Sequence, residues 1–287
     1  MAASTPTSTG WITLPDNVRL HYTQSGPASG PNLVFIPGWA QTAAQFHKQV
    51  SYFSARFRVT TYDHRGHGAS DKPSFGYRVP RLAADLDAVL AQLDLRAATL
   101  VGHSMGASIL WAHWDLFAHE RVRKLVFVDQ ARTLTIDPGW PEDEKALAGA
   151  VFTPDLVYAT ANALAGPEGG ATRTMMAGRF YTDNVGKEEL EWAMEQSAKT
   201  PLDIASKMLL GQALHDWVDV FPRITVPVLV VGARASLVPA EANELIAKQV
   251  GAKARAVIFE KEEGGSHFMF FENPEKFNKI LEEFLDE

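Results

Sequence analysis

Gly102-His103-Ser104-Met105-Gly106 places a serine between two glycines, directly after the apolar run "ATLVGHS" (98–104) and before the helical run "ASILWAHWDLF". A strand that turns sharply into a helix at this point would hold the Ser104 hydroxyl at the apex of a strained elbow. Such an elbow needs small neighbours, because the backbone turns tightly and the helix packs close; Gly102, Gly106 and Ala107 meet that need. The chemistry this arrangement suggests is nucleophilic attack by an alcohol. An alcohol is a weak nucleophile at neutral pH, so a base must lie beside it.

The elements needed to position that serine are legible. "LVFIPG" (33–38), "FRVTTYD" (57–63), "ATLVGHS" (98–104), "KLVFVDQ" (124–130), "VPVLVVGA" (226–233) and "RAVIFE" (255–260) are short, β-branched and mostly not alternating. Runs of that kind read as strands covered on both faces. Helical spacing occurs between them in 79–93 and 239–250, and a last helix opens at Asn273-Pro274. Strand–helix alternation predicts an α/β fold, a mostly parallel sheet with helices on both faces. "GWITL" and "VRLHYTQ" flank Pro15-Asp16-Asn17 and predict an antiparallel starting hairpin. The alternation stops after Gln130. From Thr133 to His215 only helical patterns are found, with starts at Thr153-Pro154-Asp155 and Thr200-Pro201-Leu202-Asp203 and a further run "KEELEWAMEQSAK". The expected organisation is therefore a core domain in two parts, 1–132 and 216–287, with a helical cap, 133–215, inserted over the sheet.

The 287 residues are 46% apolar, enough for one large buried core. Net charge is −7 and no basic cluster stands out, which argues against nucleic acid as a partner. Cysteine is absent, so disulfides and thiolate metal sites are excluded. "MAASTPTSTG" has neither a basic start nor an apolar core, and no apolar run approaches a membrane span; a cytoplasmic protein with a frayed N-terminus is expected.

Four segments together resemble the α/β-hydrolase superfamily over nearly the whole chain. "FIPGW" (35–39) resembles its oxyanion loop and "DHRGHGASD" (63–71) its D-x-R-G-x-G-x-S turn. "GHSMG" resembles the nucleophile elbow, and "GGSHFMFFENPEKF" (264–277) the histidine loop and final helix. The resemblance implies Ser104 as nucleophile and His267 as base. It implies an oxyanion hole from the backbone N–H groups of Met105 and Trp39, with Pro37-Gly38 where relatives often have His-Gly. Gln41 could add a side-chain donor. His64 and His67 have an H-x-x-H spacing but lack the further partners of a zinc site, so no metal is expected.

A histidine base needs an acid to fix its tautomer. Many relatives carry it in a G-x-x-D turn after the strand written here "VLVVG". The matching residues are Gly232, Ala233, Arg234 and Ala235, with no carboxylate. Three answers remain open. Asp129, at the end of "KLVFVDQ", occupies the position that haloalkane dehalogenases and some other relatives use. Glu241 would reach in from the next helix. Or no acid exists and the enzyme is impaired. Gln130 is a candidate to face the site, and Met176 and Trp192 are candidates to line a pocket under the cap.

The expected activity is hydrolysis of a carboxylic ester or lactone of an apolar small molecule through an acyl-enzyme on Ser104, without a cofactor. Cofactor-free haloperoxidases and C–C bond hydrolases share the triad. Dehalogenases and epoxide hydrolases need aspartate where Ser104 stands. A ligand receptor built on the same fold is a further alternative, distinguished by its lack of turnover.

Overall fold

The computed structural model describes residues 7–287. The strands are β1 (Thr7–Thr13), β2 (Arg19–Ser25), β3 (Asn32–Ile36), β4 (Arg58–Tyr62), β5 (Ala98–His103), β6 (Val122–Val128), β7 (Val228–Ala233) and β8 (Ala254–Phe259). They form one eight-stranded sheet in the order β1-β2-β4-β3-β5-β6-β7-β8. β1 pairs antiparallel with β2, and β2 antiparallel with β4; all later pairings are parallel. The hairpin turns at Asn17, whose φ is 63°. Of the N-terminal stretch expected to fray, residues 1–6 lie outside the described residues, whereas Thr7–Gly10 are part of β1.

The parallel strands read as unbroken apolar runs because both faces of the sheet are covered. Successive side chains point to opposite faces. Val34 and Ile36 of β3, Leu125 and Phe127 of β6, and Val228 and Val230 of β7 belong to one core. That core is completed by α2 (Val79–Gln92), α3 (Met105–Leu116) and α9 (Ala240–Val250), once the helices are numbered along the chain. Leu33 and Phe35, Val126 and Val128, and Leu229 and Val231 face the other core, with Phe53 of α1 (His47–Phe53) and Phe277, Leu281 and Phe284 of α11 (Pro274–Asp286). α11 starts where its cap demands: Asn273 accepts from the Lys276 N–H at 3.1 Å and Pro274 occupies the first turn.

Between β6 and β7 lie α4 (Glu142–Ala148), α5 (Pro154–Ala165), α6 (Gly169–Gly178), α7 (Lys187–Ala198) and α8 (Leu202–Ala213). The β-structure there among the described residues is a single bridge, Thr135 to Phe152. Thr153 caps α5 by accepting from Leu156 N–H at 3.3 Å. α6, "GGATRTMMAG", carries weak helix formers, which is why its helix does not stand out in the sequence. α10 (Met269–Glu272) is one turn ahead of α11.

The elbow is built by close approach. A Cβ on Gly102 would stand 2.5 Å from backbone atoms of Gly106, and a Cβ on Gly106 would stand 2.2 Å from the Ile36 carbonyl oxygen. Only glycine lets α3 start this close to β3 and β5. Gly106→Ala is therefore expected to destabilise the protein by about 3 kcal/mol despite alanine's better helix propensity. A shift of the urea midpoint checks this; an unchanged midpoint would mean that β3 moves aside freely.

Candidate active site

Loops at the C-terminal edge of the parallel strands converge on one place, where α/β sheets bind ligands. Three of the converging residues are non-glycine residues in the left-handed region: Ala40 after β3 (φ 50°), Ser104 after β5 (φ 53°, ψ −124°) and Asp129 after β6 (φ 50°). Each such residue costs on the order of 1–3 kcal/mol and persists only when its surroundings over-determine it. Here they do. Ser104 N–H donates to Val128 O (2.8 Å) and Asp129 N–H to Val231 O (2.8 Å), so each strand end is tied to its neighbour. Ala40 N–H donates to His67 Nε2 at 3.2 Å.

Ser104 and His267 line one cavity of about 420 Å³. That is a fitting size for a small organic ligand. His267 Nδ1 lies 2.6 Å from Asp129 Oδ2. Asp129 is fully buried, and its carboxylate also accepts from Ser236 Oγ and, at 3.5 Å, from Asn243 Nδ2. Burial pushes its carboxyl above the ordinary range, while the bonds from His267, Ser236 and Asn243 pull it back. Ser236 thus stands beside the position without a carboxylate after β7 and serves the acid after β6. Glu241 turns outward: its carboxylate is 63% exposed and pairs with Arg234 at 2.8 Å.

A second set of bonds holds the loop that carries Trp39. Gly38 N–H donates to Gln41 Oε1 (2.8 Å) and Gln41 Nε2 lies 2.9 Å from His103 Nδ1. His103 Nε2 lies 2.7 Å from the His267 carbonyl oxygen. A carbonyl accepts only, so His103 carries its proton on Nε2 and accepts from Gln41 on Nδ1. Burial, then the neighbouring His267, holds the His103 imidazole well below its usual range, which keeps it in that neutral form. From the other side, His64 Nε2 donates to Pro37 O at 2.9 Å, and Asp63 accepts from Ala43 and Ala69 N–H at 2.8 Å each. The histidines of the H-x-x-H pair are braces for this loop. The backbone N–H groups of Trp39, which lines the same cavity, and of Met105, which follows Ser104, have no acceptor among the described residues.

The sequence profile of the alpha/beta hydrolase fold matches residues 31–274. The chain belongs to the α/β-hydrolase fold family. A segment of 120 residues is 38% identical to a non-heme chloroperoxidase of Streptomyces lividans, covering 42% of this chain and 44% of that protein. A 3-oxoadipate enol-lactonase of Acinetobacter baylyi is 27% identical over 269 residues, 93% of this chain and 92% of that one. The structure of a bromoperoxidase from Bacillus anthracis superposes with a TM-score of 0.88 at 22% identity, covering 98% of this chain and 100% of that chain, and so shares the fold.

Within this α/β-hydrolase fold the expected pocket residues divide. Gln130 and Met176 line the cavity, and Gln130 Nε2 donates to Ser108 Oγ at 2.8 Å. Trp192 and Gln41 do not. Trp192 stacks on Phe271 with its ring 5.9 Å away and packs edge-on to His47, so it joins α7 to the core. Gln41 lies under the loop, its amide occupied by Gly38 and His103. Sequence reasoning missed Phe180, whose ring centroid is 4.9 Å from that of His267, and Leu237, Val238 and Arg179, which also line the cavity. The helical spacing around α6 is too weak to have assigned Arg179 and Phe180 a face, and Leu237 and Val238 lie in the turn between β7 and α9, where no periodicity assigns one.

Three buried histidines here are held neutral. His64 is pushed down to about 3 and His67 to about 4 from 6.5, chiefly by burial, and His103 falls well below that reference. The unfolded chain takes up protons below pH 6.5 that the folded one refuses, so stability is full above that pH and drains away as pH falls toward 4. At pH 5 His64 and His67 each cost about 2 kcal/mol. The urea midpoint should fall steeply from pH 7 to 5, and His64→Gln should flatten the slope. An unaltered slope in that variant would remove His64 from this account.

Proposed function

We propose that this α/β-hydrolase cleaves a carboxylic ester or lactone of a small, largely apolar molecule through an acyl-enzyme on Ser104. The observation that carries the reading is the strained Ser104 opening on the cavity that His267 lines, with His267 oriented by a buried Asp129. Ser104 Oγ attacks the carbonyl carbon while its proton passes to His267 Nε2. The Trp39 and Met105 N–H groups hold the oxyanion. Collapse breaks the C–O bond, and His267 returns the proton to the departing alcohol; in a lactone that alcohol stays tethered to the acyl group. Water then attacks the acyl-serine, giving its proton to His267, and the acid leaves with Ser104 restored. Asp129 holds the imidazole with its proton on Nδ1 and steadies the positive charge that develops. Helices α4–α8 act in this proposal as a cap, with Phe152, Met176, Phe180 and Leu209 as apolar walls.

The similarity to a chloroperoxidase favours a second reading that uses the same acyl-serine. Hydrogen peroxide in place of water would release a peracid and restore Ser104, and the peracid would oxidise halide. Halogenation of an added acceptor that requires acetate, peroxide and Ser104 would select this reading.

A fluorophosphonate probe should label Ser104 alone, and Ser104→Ala should abolish both labelling and hydrolysis of p-nitrophenyl esters. A label mapped to another serine by mass spectrometry would overturn the assignment. Asp129→Asn should leave the circular dichroism spectrum intact and lower kcat by up to about 10⁴-fold, by analogy with the serine-protease triad. Glu241→Gln should cost less than about two-fold, because an exposed ion pair away from the imidazole contributes little. Near-normal turnover in folded Asp129→Asn would place the acid elsewhere.

A further inference from the structure

The cavity wall carries one permanent charge. Besides His267, Arg179 is the charged residue among those lining it, and no aspartate or glutamate does so. Arg179 follows α6 and immediately precedes Phe180, which covers the His267 ring. Arg179 is exposed, and among the described residues its guanidinium has no ion pair and no side-chain hydrogen bond. Arg173, on the same helix, shows what a structural arginine does here: it is buried and donates to the Ser197 and Thr200 carbonyls. Arg132 pairs with Glu144 and lies near Asp216. Nothing comparable occupies Arg179.

A second observation also points to a ligand. Gln212 of α8 lines the cavity, is 5% exposed, and its Oε1 is buried without a partner. A plain alkanoyl chain would leave the buried Gln212 carbonyl oxygen without a partner and make no use of the solvated Arg179. A buried polar group left unpaired disfavours such a ligand relative to one that bonds it.

We infer that the substrate carries a carboxylate remote from the scissile carbonyl, and that Arg179 is the residue that selects for it. This rests on the ester- or lactone-hydrolysis reading above. The planar guanidinium fork matches a carboxylate with two parallel hydrogen bonds. One negative charge neutralises the one cation. A dianion such as phosphate would bring a second charge to a wall that holds no other permanent cation, in a protein of net charge −7. The apolar walls take the intervening methylenes, and the Gln212 amide is available to a polar atom of the chain.

The test compares two six-carbon acyl esters: mono-p-nitrophenyl adipate, which ends in a carboxylate, and p-nitrophenyl hexanoate, which does not. Wild-type kcat/KM should favour the adipate ester by about ten-fold, and high salt should shrink the preference. Arg179→Gln should abolish the preference by raising KM for the adipate ester, so that its kcat/KM falls about ten-fold further than that of the hexanoate ester. Arg179→Lys should restore part of it. Equal kcat/KM for the two esters in the wild type, or equal losses for both in Arg179→Gln, would overturn the inference. Binding separates it from the catalytic reading. In Ser104→Ala, Trp fluorescence should report tighter binding of monomethyl adipate than of dimethyl adipate, and Arg179→Gln should erase the difference. That binding pattern without wild-type turnover of any ester would keep the carboxylate subsite and remove the hydrolase reading. Turnover of the hexanoate ester with no effect of Arg179 would do the reverse.

Discussion

A carboxylate with no exposed surface ties together the C-terminal edge of this sheet. Asp129 sits in a strained conformation after β6, where its side chain has no access to water. A charge so placed is costly unless donors surround it. The donors come from separate parts of the chain: Ser236 from the turn after β7, Asn243 from α9, and His267 from the loop after β8. Meeting the electrostatic demand of one side chain therefore fixes the relative positions of a turn, a helix and a loop. The orientation of the His267 imidazole follows from the same demand. The backbone bond from Asp129 N–H to Val231 O adds a fourth tie between β6 and β7.

The loop after β3 is organised by a different device, a relay of neutral hydrogen bonds. It runs from Gly38 N–H through Gln41 and His103 to the His267 carbonyl. Each member has a definite donor and acceptor role, because His103 is too deeply buried to become charged at neutral pH. The loop bearing Trp39 and the loop bearing His267 are thereby coupled. The turn at residues 63–71 supports the same loop from behind through His64, His67 and Asp63. That turn is anchored in turn by the buried pair Arg65–Asp85, at 2.6 Å, which fastens it to α2. Buried bonds of this kind are strong where fully satisfied and expensive where broken, so they specify one geometry.

The segment between β6 and β7 also makes polar ties to the core. Trp39 Nε1 donates to Ala205 O of α8 at 2.8 Å, and Thr42 Oγ1 to Gln196 of α7 at 3.0 Å. Most of its contact with the core is apolar and aromatic, as in the stacking of Tyr181 on Phe268 and of Trp192 on Phe271. Ser104 and Asp129 lie at strand ends, whereas several of the cavity walls come from the helices between β6 and β7. Changes in the walls can alter selectivity while the Asp129 knot keeps its geometry.

The amino-acid sequence determined the sheet, its covered faces and the elbow at Ser104, because these follow from short-range features. Unbroken β-branched runs need two covered faces, and glycines at 102 and 106 permit a turn no other residue allows. It also determined that the turn after β7 carries no acid. It left open which carboxylate serves His267, because Asp129 and Ser236 are 107 residues apart and their bond is a fact of strand order, not of local pattern. The same holds for the pocket. Trp192 and Met176 have similar standing as large apolar residues on helices, yet one packs on Phe271 and the other faces the cavity. Which face of α6 and α7 turns inward depends on how the insertion docks, and weak helix formers in α6 give no periodic signal of it. Arg179 was invisible for the same reason: a lone arginine on a helix end reads as surface charge until the tertiary structure sets it in the lining of the cavity.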